Sequence, residues 1–438
     1  SIREVLLYKL FYSIIQTSGQ SCSHRSLDMT VTKALIPITM GDVENEQKTM
    51  KTYDWIVVGG GITGAALAYE LARAELTVLL VDSDTAIQRA TRYSYGGLAY
   101  WSGKSDLTRV LCAEGIERHR HLSAELDQDT QFRELDLVLT IAADQDPEKM
   151  AAAYADCAMP PQLLSVEEAC ELEPLLNPNA IAGILTVRHG HIHPEHLTQA
   201  YRQAFCRAGG EQQMAQVVEL LRQGDRVQGV KTLDNQTYHA ANTVVCAGGL
   251  SRALLNAAGI QVRVYFTHAE MIETPTVDLK LRTLVMPAYT QRFQLEAQAS
   301  RADVEPLWDQ PGYEPVPPIL DAGAIQFRDG HVRMGQISRV LTEPFAEVNS
   351  AASESAIRTQ VGHILPALAS LPGTWHHCLV AFGGNNLPVV GAIQGVEGIH
   401  IFSGFTNPLV YVPPLAQRFA QWVMGKEDQI IAQLAQNL

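Results

Sequence analysis

Three glycines and an aspartate have the types and spacing needed to bind a dinucleotide. Gly59, Gly61 and Gly64 fill the G-x-G-x-x-G positions of Asp54-Trp-Ile-Val-Val-Gly-Gly-Gly-Ile-Thr-Gly64, and Asp82 follows an apolar run. The first glycine permits a tight turn, the second lets the backbone approach a pyrophosphate, and the third lets a helix pack close to a strand. The Asp82 carboxylate can accept hydrogen bonds from a ribose hydroxyl. By itself this spacing suits NAD as well as FAD.

The residues around these glycines must form the strand, turn, helix and strand that position them. An apolar run precedes Gly59, an Ala/Leu-rich segment follows Gly64, and Thr77-Val-Leu-Leu-Val-Asp82 is a second apolar run. The helix would point its free N–H groups and the positive end of its dipole at the phosphates. We therefore predict a βαβ unit and an α/β fold.

Composition limits the class of protein. The 438 residues are 46% hydrophobic and 18% charged, which is enough to bury a large core. The net charge of -14 argues against a nucleic-acid partner. Seven cysteines without a C-x-x-C pair favour reduced thiols in a cytoplasmic compartment rather than a disulfide framework or a metal site. No apolar run reaches the roughly 18 residues of a membrane-spanning helix.

Residues 1–49 show no periodicity, and the first predicted strand begins directly after Met50-Lys-Thr-Tyr53. We expect residues 1–49 to be an extension outside the fold that carries no function. The short apolar run Val5–Ile15, interrupted by Lys9, leaves a targeting segment as the alternative.

The remaining chain alternates between two patterns. Strand, turn and helix signals of the first block return in two later blocks, whereas the intervening stretches have alternating strands such as the Ala324–Gly335 hairpin, with a two-residue Asp329-Gly330 turn. We predict a Rossmann-like nucleotide-binding domain with a β-meander, and a second domain built on an antiparallel sheet. The predicted boundaries are 50–105, 186–262 and 375–438 for the first domain, and 106–185 and 263–374 for the second.

Four ordered motifs between residues 52 and 425 resemble those of the D-amino-acid oxidase, sarcosine oxidase and glycine oxidase superfamily of FAD-dependent oxidoreductases. In chain order they are the glycine turn, the loop 91–97, the stretch from His193-Pro194 through Val217 to Ser251, and Leu387-Pro-Val-Val-Gly391 followed by Gly398-Ile-His-Ile-Phe-Ser-Gly404. The resemblance implies that the dinucleotide is FAD.

The resemblance also implies which positions bind the cofactor. They are Gly59, Gly60, Gly61, Ile62, Thr63, Gly64, Asp82, Ser83, Thr91, Ser94, Gly96, Gly97, Val217, Ala247, Gly248, Cys378, Gly404, Phe405, Thr406 and Asn407. The last helix would face the flavin pyrimidine, where its N-terminus stabilises the negative charge of reduced flavin. This chain departs from the family's glycine-rich turn at Pro408, which has no N–H to donate.

At the candidate catalytic positions this chain departs from the family that it resembles. Family members often clamp a substrate carboxylate with an arginine just after the tryptophan of the fourth motif, but Trp375-His-His-Cys has none. Two arginines could replace it. Arg109 resembles an active-site arginine of sarcosine oxidases, or is an ordinary helix-surface residue. Arg333 lies where those enzymes carry a lysine that promotes reaction with oxygen, or faces outward from its strand.

A cysteine and four histidines complete the set of candidate reactive groups. Cys378 aligns with the residue through which sarcosine oxidases link covalently to FAD, although a small buried strand residue is the simpler interpretation. Of His376 and His377, one at most should point inward, because neighbouring strand residues face opposite ways. We interpret His191 and His193 as loop residues before a helix.

The resemblance implies an FAD-dependent enzyme that oxidises the CH–NH bond of an amino acid or amine to an imine, passing electrons to oxygen, a quinone or a protein acceptor. Oxidation of a CH–OH donor, as in glycerol-3-phosphate or 2-hydroxyacid dehydrogenases, is the alternative. A flavin-fold binding protein without redox chemistry is a third possibility.

Overall fold

The computed structural model describes residues 51–83 and 90–438, so the predictions for residues 1–49 lie outside the described residues. The strands are β1 (Thr52–Val58), β2 (Val78–Asp82), β3 (Gly97–Leu98), β4 (Arg133–Ala142), β5 (Gln162–Leu164), β6 (Ile181–His191), β7 (Glu211–Met214), β8 (Val217–Gln223), β9 (Arg226–Thr232), β10 (Thr237–Val245), β11 (Val264–Glu273), β12 (Leu284–Pro287), β13 (Val316–Gln326), β14 (Val332–Val340), β15 (Thr374–Gly383), β16 (Val389–Ala392) and β17 (Ile399–Ser403). The helices are α1 (Ile62–Arg73), α2 (Ala90–Tyr93), α3 (Asp106–Glu125), α4 (Pro147–Ala152), α5 (Val166–Leu172), α6 (Pro194–Arg207), α7 (Ser251–Ala257), α8 (Arg292–Ala299), α9 (Ser350–Ile364), α10 (Pro408–Val423) and α11 (Gln429–Leu434).

The first sheet confirms the predicted βαβ unit. Its order is β16-β17-β10-β1-β2-β7, and β9 and β8 extend it from β10 as an antiparallel meander. The central pairs from β17 to β7 are parallel, with Val58 opposite both Val81 and Val245. The long apolar strands suit this arrangement, because a parallel sheet is covered on both faces.

Small residues allow a helical layer to pack tightly on one face of this sheet. α1 is rich in alanine and is almost entirely buried. α3, α6 and α10 share its apolar cluster, together with alternate residues of β1 and β2. Gly115 of α3 is required for this packing, since a Cβ there would lie 2.3 Å from the carbonyl oxygen of Val410. The layer thus fixes the helix that begins at the glycine turn.

The second sheet has the order β15-β11-β14-β13-β12-β4-β6-β3, with β5 added to β6. Its pairs are antiparallel except for β12 with β4. The turn between β13 and β14 is longer than predicted: Gly330 N donates to Phe327 O and Phe327 N donates to His331 O. Gly330 has φ +88°, so a type I turn is followed by a left-handed residue, as in a three-residue hairpin loop.

Three elements pack or pair differently from the predicted domain boundaries. α3 was assigned to the second domain but packs in the first-sheet cluster, and β15 was assigned to the first domain but pairs along its full length with β11. β6, which crosses the expected boundary at residue 186, lies wholly in the second sheet. The amphipathic pattern of an element shows that one face is buried, but not which sheet buries it.

Within residues 51–83 and 90–438, the helices are all too short or too polar to cross a bilayer. The six cysteines of this part of the chain form no disulfide. It also contains no group of three metal-binding side chains.

Candidate functional site

The glycine turn adopts the geometry that its sequence predicts. Gly59 has φ +101°, and a Cβ on it would lie 2.6 Å from Cys246 O. A Cβ on Gly64 would overlap Gly59 O at 1.7 Å, so the helix packs directly on the turn. At Gly61 a Cβ would make one tight contact, with Thr91 Oγ1 at 3.3 Å, and would meet no other atom of the described residues within 4 Å. The backbone is therefore accessible to a phosphate at the middle glycine.

The start of α1 offers donors to an anion. Gly61 caps the helix without a side-chain acceptor, and the first intrahelical bond runs from Ala65 N to Gly61 O. The hydroxyl of Thr91 accepts from Ile62 N at 3.2 Å, which brings α2 and the loop after it against the turn. Backbone N–H groups at a helix start form an anion site. Thr91 is thereby placed beside it, where the resemblance puts it.

The end of β2 holds Asp82 in a buried ion pair. Its carboxylate is bound by Arg202 of α6, and its carbonyl accepts from Ala215 N at 2.8 Å. Ser83 follows it in sequence, and Val217 lies two residues beyond Ala215 at the start of β8. Asp82 and Val217 therefore lie near the same end of the sheet, on the side expected for the adenosine half of a dinucleotide.

The segment after β10 packs on the other side of the turn. Thr63 Oγ1 donates to Cys246 O at 3.4 Å, and the Cβ position of Gly59 is 3.1 Å from Ala247 Cα. Gly248 has φ +55°, and a Cβ there would meet nothing within 4 Å. Gly248 thus has open space at its Cβ position next to the turn. The contact of Ala247 and Gly248 with the cofactor stays a prediction.

The loop from Gly404 to Asn407 leads into α10. Gly404 has φ +73°, and its carbonyl accepts from Gly383 N at 3.0 Å, which ties the loop to the end of β15. Phe405 is buried in the helical layer, and Thr406 O accepts from Arg292 of α8 at 3.0 Å. Asn407 is the N-cap and Pro408 the first helical residue, so the helix start is preorganised although one donor is missing.

Three charged residues form a buried cluster behind the loop 91–97. Glu273 accepts from both terminal nitrogens of Arg92, at 2.8 and 2.7 Å, and from Arg333 Nε at 2.7 Å. Arg333 also donates to Ser94 O, and its side chain is fully buried. Burial alone would raise the pKa of Glu273, but the two guanidinium groups lower it to about 2. Burial lowers the pKa of Arg333, and Glu273 opposes that shift.

Because the Arg333 side chain is fully buried, the alternative that it faces outward from its strand is wrong, and its role as a cation of the site stays a prediction. The guanidinium lies 4.5 Å from the ring centroid of Phe327, a cation–π contact. Its Nη2 is buried without a hydrogen-bond partner within the described part of the chain. A fixed cation with one unused donor therefore sits directly behind the backbone of Ser94.

The histidines before α6 are both buried, and His191 lies in a strand rather than in the expected loop, whereas His193 lies between strand and helix as expected. His191 is the last residue of β6 and His193 caps α6, with 2% and 8% exposure. Burial lowers the pKa of His193 to about 4 and that of His191 well below its usual value. Gly96 and Gly97 lie against this histidine segment, as Ile192 N donates to Gly96 O and Gly97 pairs with His191. The loop is therefore backed by neutral imidazoles.

Cys378 lies on β15 in a small apolar cluster with Tyr93, Ala269 and Met271. Its side chain is 1% exposed, and burial raises the pKa of the thiol to about 12. The site therefore keeps Cys378 as a thiol, whereas the thiolate is the nucleophile.

The neighbouring histidines of β15 separate as expected. His376 stacks on Tyr93, with 4.7 Å between ring centroids, whereas His377 stacks on His268 at 6.3 Å. One histidine thus faces the loop that carries Thr91, and the other faces away from it.

Arg109 is not brought together with Arg333. It is exposed near the start of α3, where Nη2 donates to Asp156 O at 2.7 Å and Nε to Lys104 O at 3.4 Å. These bonds give Arg109 a structural role in holding the segment around Asp156. The expectation of a catalytic Arg109 is thus replaced by its alternative, a helix-surface arginine.

The residues around the turn fit an FAD molecule. The glycine at position 61, the open space at Gly248 and the donors of α1 suit a pyrophosphate, and Asp82 suits a ribose. Sequence reasoning missed Arg202, Glu273 and Arg92. Arg202 contacts Asp82 and Glu273 contacts Arg333, whereas Arg92 joins the site through Glu273. No spacing rule links these residues, because their partners are far away in the chain.

Known proteins resemble this chain along most of its length. It matches the family model described as FAD dependent oxidoreductase (DAO) over residues 54–422. It is 26% identical over 382 residues to the 4-methylaminobutanoate oxidase (formaldehyde-forming) of Paenarthrobacter nicotinovorans, covering 84% of this chain but 43% of that protein. It is 25% identical to a glycine oxidase of Pseudomonas aeruginosa, covering 86% of this chain and 96% of that protein.

The fold of a solved structure agrees with these relatives. The glycine oxidase from Geobacillus kaustophilus superposes with a TM-score of 0.70 at 19% identity, covering 86% of this chain and 96% of that one. The shared architecture includes both sheets, so the fold class inferred from the sequence is confirmed.

Proposed function

Because this chain belongs to the DAO family of FAD-dependent oxidoreductases, we propose that it oxidises the CH–NH bond of an amino acid or a related amine. The observation that carries the proposal is the alignment with two oxidases of amino compounds over 84% and 86% of the chain. At this coverage the alignments extend well beyond the glycine turn.

The proposed reaction removes two electrons and two protons from the substrate. Carbon loses a hydride equivalent and nitrogen loses a proton, so a C=N bond forms. Bound FAD supplies the two-electron acceptor. Water then adds to the imine and releases a carbonyl product and an amine or ammonia. The electrons pass on to oxygen or another acceptor.

The chain's own contribution is binding, orientation and electrostatics. The turn from Gly59 to Gly64 would hold the pyrophosphate, and Thr91 and Ser94 would position the loop next to the flavin. Glu273 fixes Arg333 so that its positive charge stays behind Ser94. Preorganised charge of this kind stabilises developing negative charge without reorganisation. We therefore propose Arg333 as the catalytic cation of the site.

His376 and Tyr93 would form a second wall of the site. Burial lowers the pKa of His376, so the imidazole is neutral near pH 7. An uncharged wall does not repel an amine and does not stabilise its protonated form, and the amine must lose its proton before oxidation.

Anaerobic reduction of the purified holoenzyme tests this proposal. Sarcosine, 4-methylaminobutanoate, glycine and proline are mixed singly with enzyme, and the flavin absorbance near 450 nm is followed. We expect at least one amine to bleach the flavin and to yield one carbonyl product per reduced flavin. Bleaching by glycerol 3-phosphate or 2-hydroxyglutarate, with none by amines, would replace this proposal with the CH–OH alternative.

A further inference from the structure

Arg202 on α6 contacts two of the elements that bind the adenosine side of a dinucleotide. Its Nη2 pairs with the Asp82 carboxylate, and its Nε donates to Gly60 O at 3.0 Å. The two side chains are 14% and 9% exposed. A Cβ built on Gly60 would lie 2.1 Å from Arg202 Nη2 and 2.7 Å from Asp82 Oδ2. The ion pair therefore packs directly on the glycine turn.

The rest of α6 keeps this arginine in place. Pro194 begins the helix, and Leu197, Ala200, Tyr201 and Ala204 are buried in the helical layer. The carbonyl of Arg202 accepts from Gln212 Nε2 at 3.2 Å, which joins the helix to β7. The guanidinium thus reaches the turn from a rigid helix and not from a loop.

We propose that Arg202 is a positioning residue for the adenosine half of FAD. It holds the Asp82 carboxylate in the orientation that accepts ribose hydroxyl groups, and its bond to the Gly60 carbonyl anchors the guanidinium beside that carboxylate. This inference rests on the family's cofactor and is independent of the substrate proposed above.

The chemistry of the two groups explains why an arginine is used. Burying a carboxylate is unfavourable unless a charge or hydrogen bonds compensate for it, and Arg202 supplies both. The guanidinium is a rigid fork with several donors, so it can bind a carboxylate and a carbonyl at once. A lysine has one point charge on a flexible stem and would satisfy the two acceptors less well.

Titration of apo-protein with FAD, followed by flavin fluorescence, tests the proposal. For Arg202→Gln we expect the dissociation constant to rise roughly 10- to 100-fold, the size of one or two hydrogen bonds to a charged group. Binding of FMN, which lacks the adenosine half, should stay within about twofold of the parent. Arg207→Gln is the matched control, because Arg207 lies on the same helix and donates to Leu126 O instead.

A double-mutant cycle separates positioning from a general loss of structure. If Arg202 acts through Asp82, adding Arg202→Gln to Asp82→Asn should weaken FAD binding by less than about threefold. Arg202→Lys should lie between the parent and Arg202→Gln.

Three outcomes would overturn the proposal. They are additive effects in the cycle, an equal loss of FMN affinity, and tighter FAD binding in Arg202→Gln, which would mean that the arginine competes with the ribose. Thermal unfolding of each apo-protein checks that it folds, and Arg202→Lys carries the test if Arg202→Gln does not. If acid precipitation leaves flavin on the protein, all variants are made with Cys378→Ala. Absence of amine oxidation would contradict the proposed function and leave these binding results intact.

Discussion

Replacing Glu273 by glutamine should destabilise the protein by about 3 kcal/mol, because it leaves the Arg333 guanidinium buried without its counter-charge. The pKa of Glu273 falls from the usual 4.5 to about 2 on folding, which corresponds to roughly 3 kcal/mol at neutral pH. Breaking one side of a buried ion pair typically costs about 3–5 kcal/mol, so the two routes agree. Glu273 is 15% exposed, and solvent screening reduces this value little.

Urea unfolding of the apo-protein at pH 7 measures this change in free energy. In thermal unfolding, the Tm should fall by roughly 4 °C for a folded unit of this size. The pH dependence provides a second signature. A carboxylate with a lowered pKa stabilises the fold above about pH 4.5, and that stability is lost as pH falls toward 2. Glutamine cannot titrate, so this acid dependence should be smaller in Glu273→Gln.

Glu397→Gln is the control for the same chemical change. Glu397 pairs with Arg226 at 2.9 Å, but both are well exposed, so the loss should stay below about 0.5 kcal/mol. If Glu273→Gln destabilises the protein no more than this control does, the buried cluster is not held by charge and the reasoning is wrong.

Three further predictions concern the glycine turn, the loss of stability at acid pH and the Cys378 thiol. Gly64→Ala should weaken FAD binding at least roughly tenfold, since its Cβ would overlap Gly59 O; an unchanged dissociation constant in apo-protein titration would contradict the packing. His119 is buried with a pKa lowered to about 4, so stability should fall as pH drops from 6.5 toward 4, by about 2 kcal/mol at pH 5. His119→Gln should lack this fall in the free energy of unfolding, measured in urea at pH 6.5 and pH 5. An equal fall in the variant and the parent would show that His119 is not its source. Acid precipitation should release the flavin into the supernatant because Cys378 is held as a thiol; a yellow pellet would instead show a covalent link.

The sequence predicts those parts of the fold that depend on neighbours in the chain. The unit from β1 to β2 is confirmed because its signals, apolar runs and three spaced glycines, are local. The FAD fold is confirmed because four motifs occur in the right order. The hairpin at Gly330 differs in length, since a two-residue and a three-residue loop can share the Asp-Gly pair.

Contacts between distant residues were beyond prediction. Arg202 and Asp82 are 120 residues apart, and Arg92 and Glu273 are 181 apart. A charged residue in a helix or strand looks the same in sequence whether it faces solvent or a buried partner. Arg109 shows the converse, because its local resemblance to an active-site arginine does not show that its partners are backbone carbonyls on the surface.

The strand order of the first sheet also constrains how the protein is made on the ribosome. β10 pairs with β1 along one edge, and on its other edge Thr243–Val245 pair with β17, so this part of the strand lacks its second neighbour until Ile401 has been synthesised. Until then a nascent chain presents the unpaired edge of β10, a template for wrong pairing. A chain shortened before β17 should therefore aggregate although the glycine turn is complete. The nucleotide site begins near the first described residues, yet its folding waits for the last strand, β17.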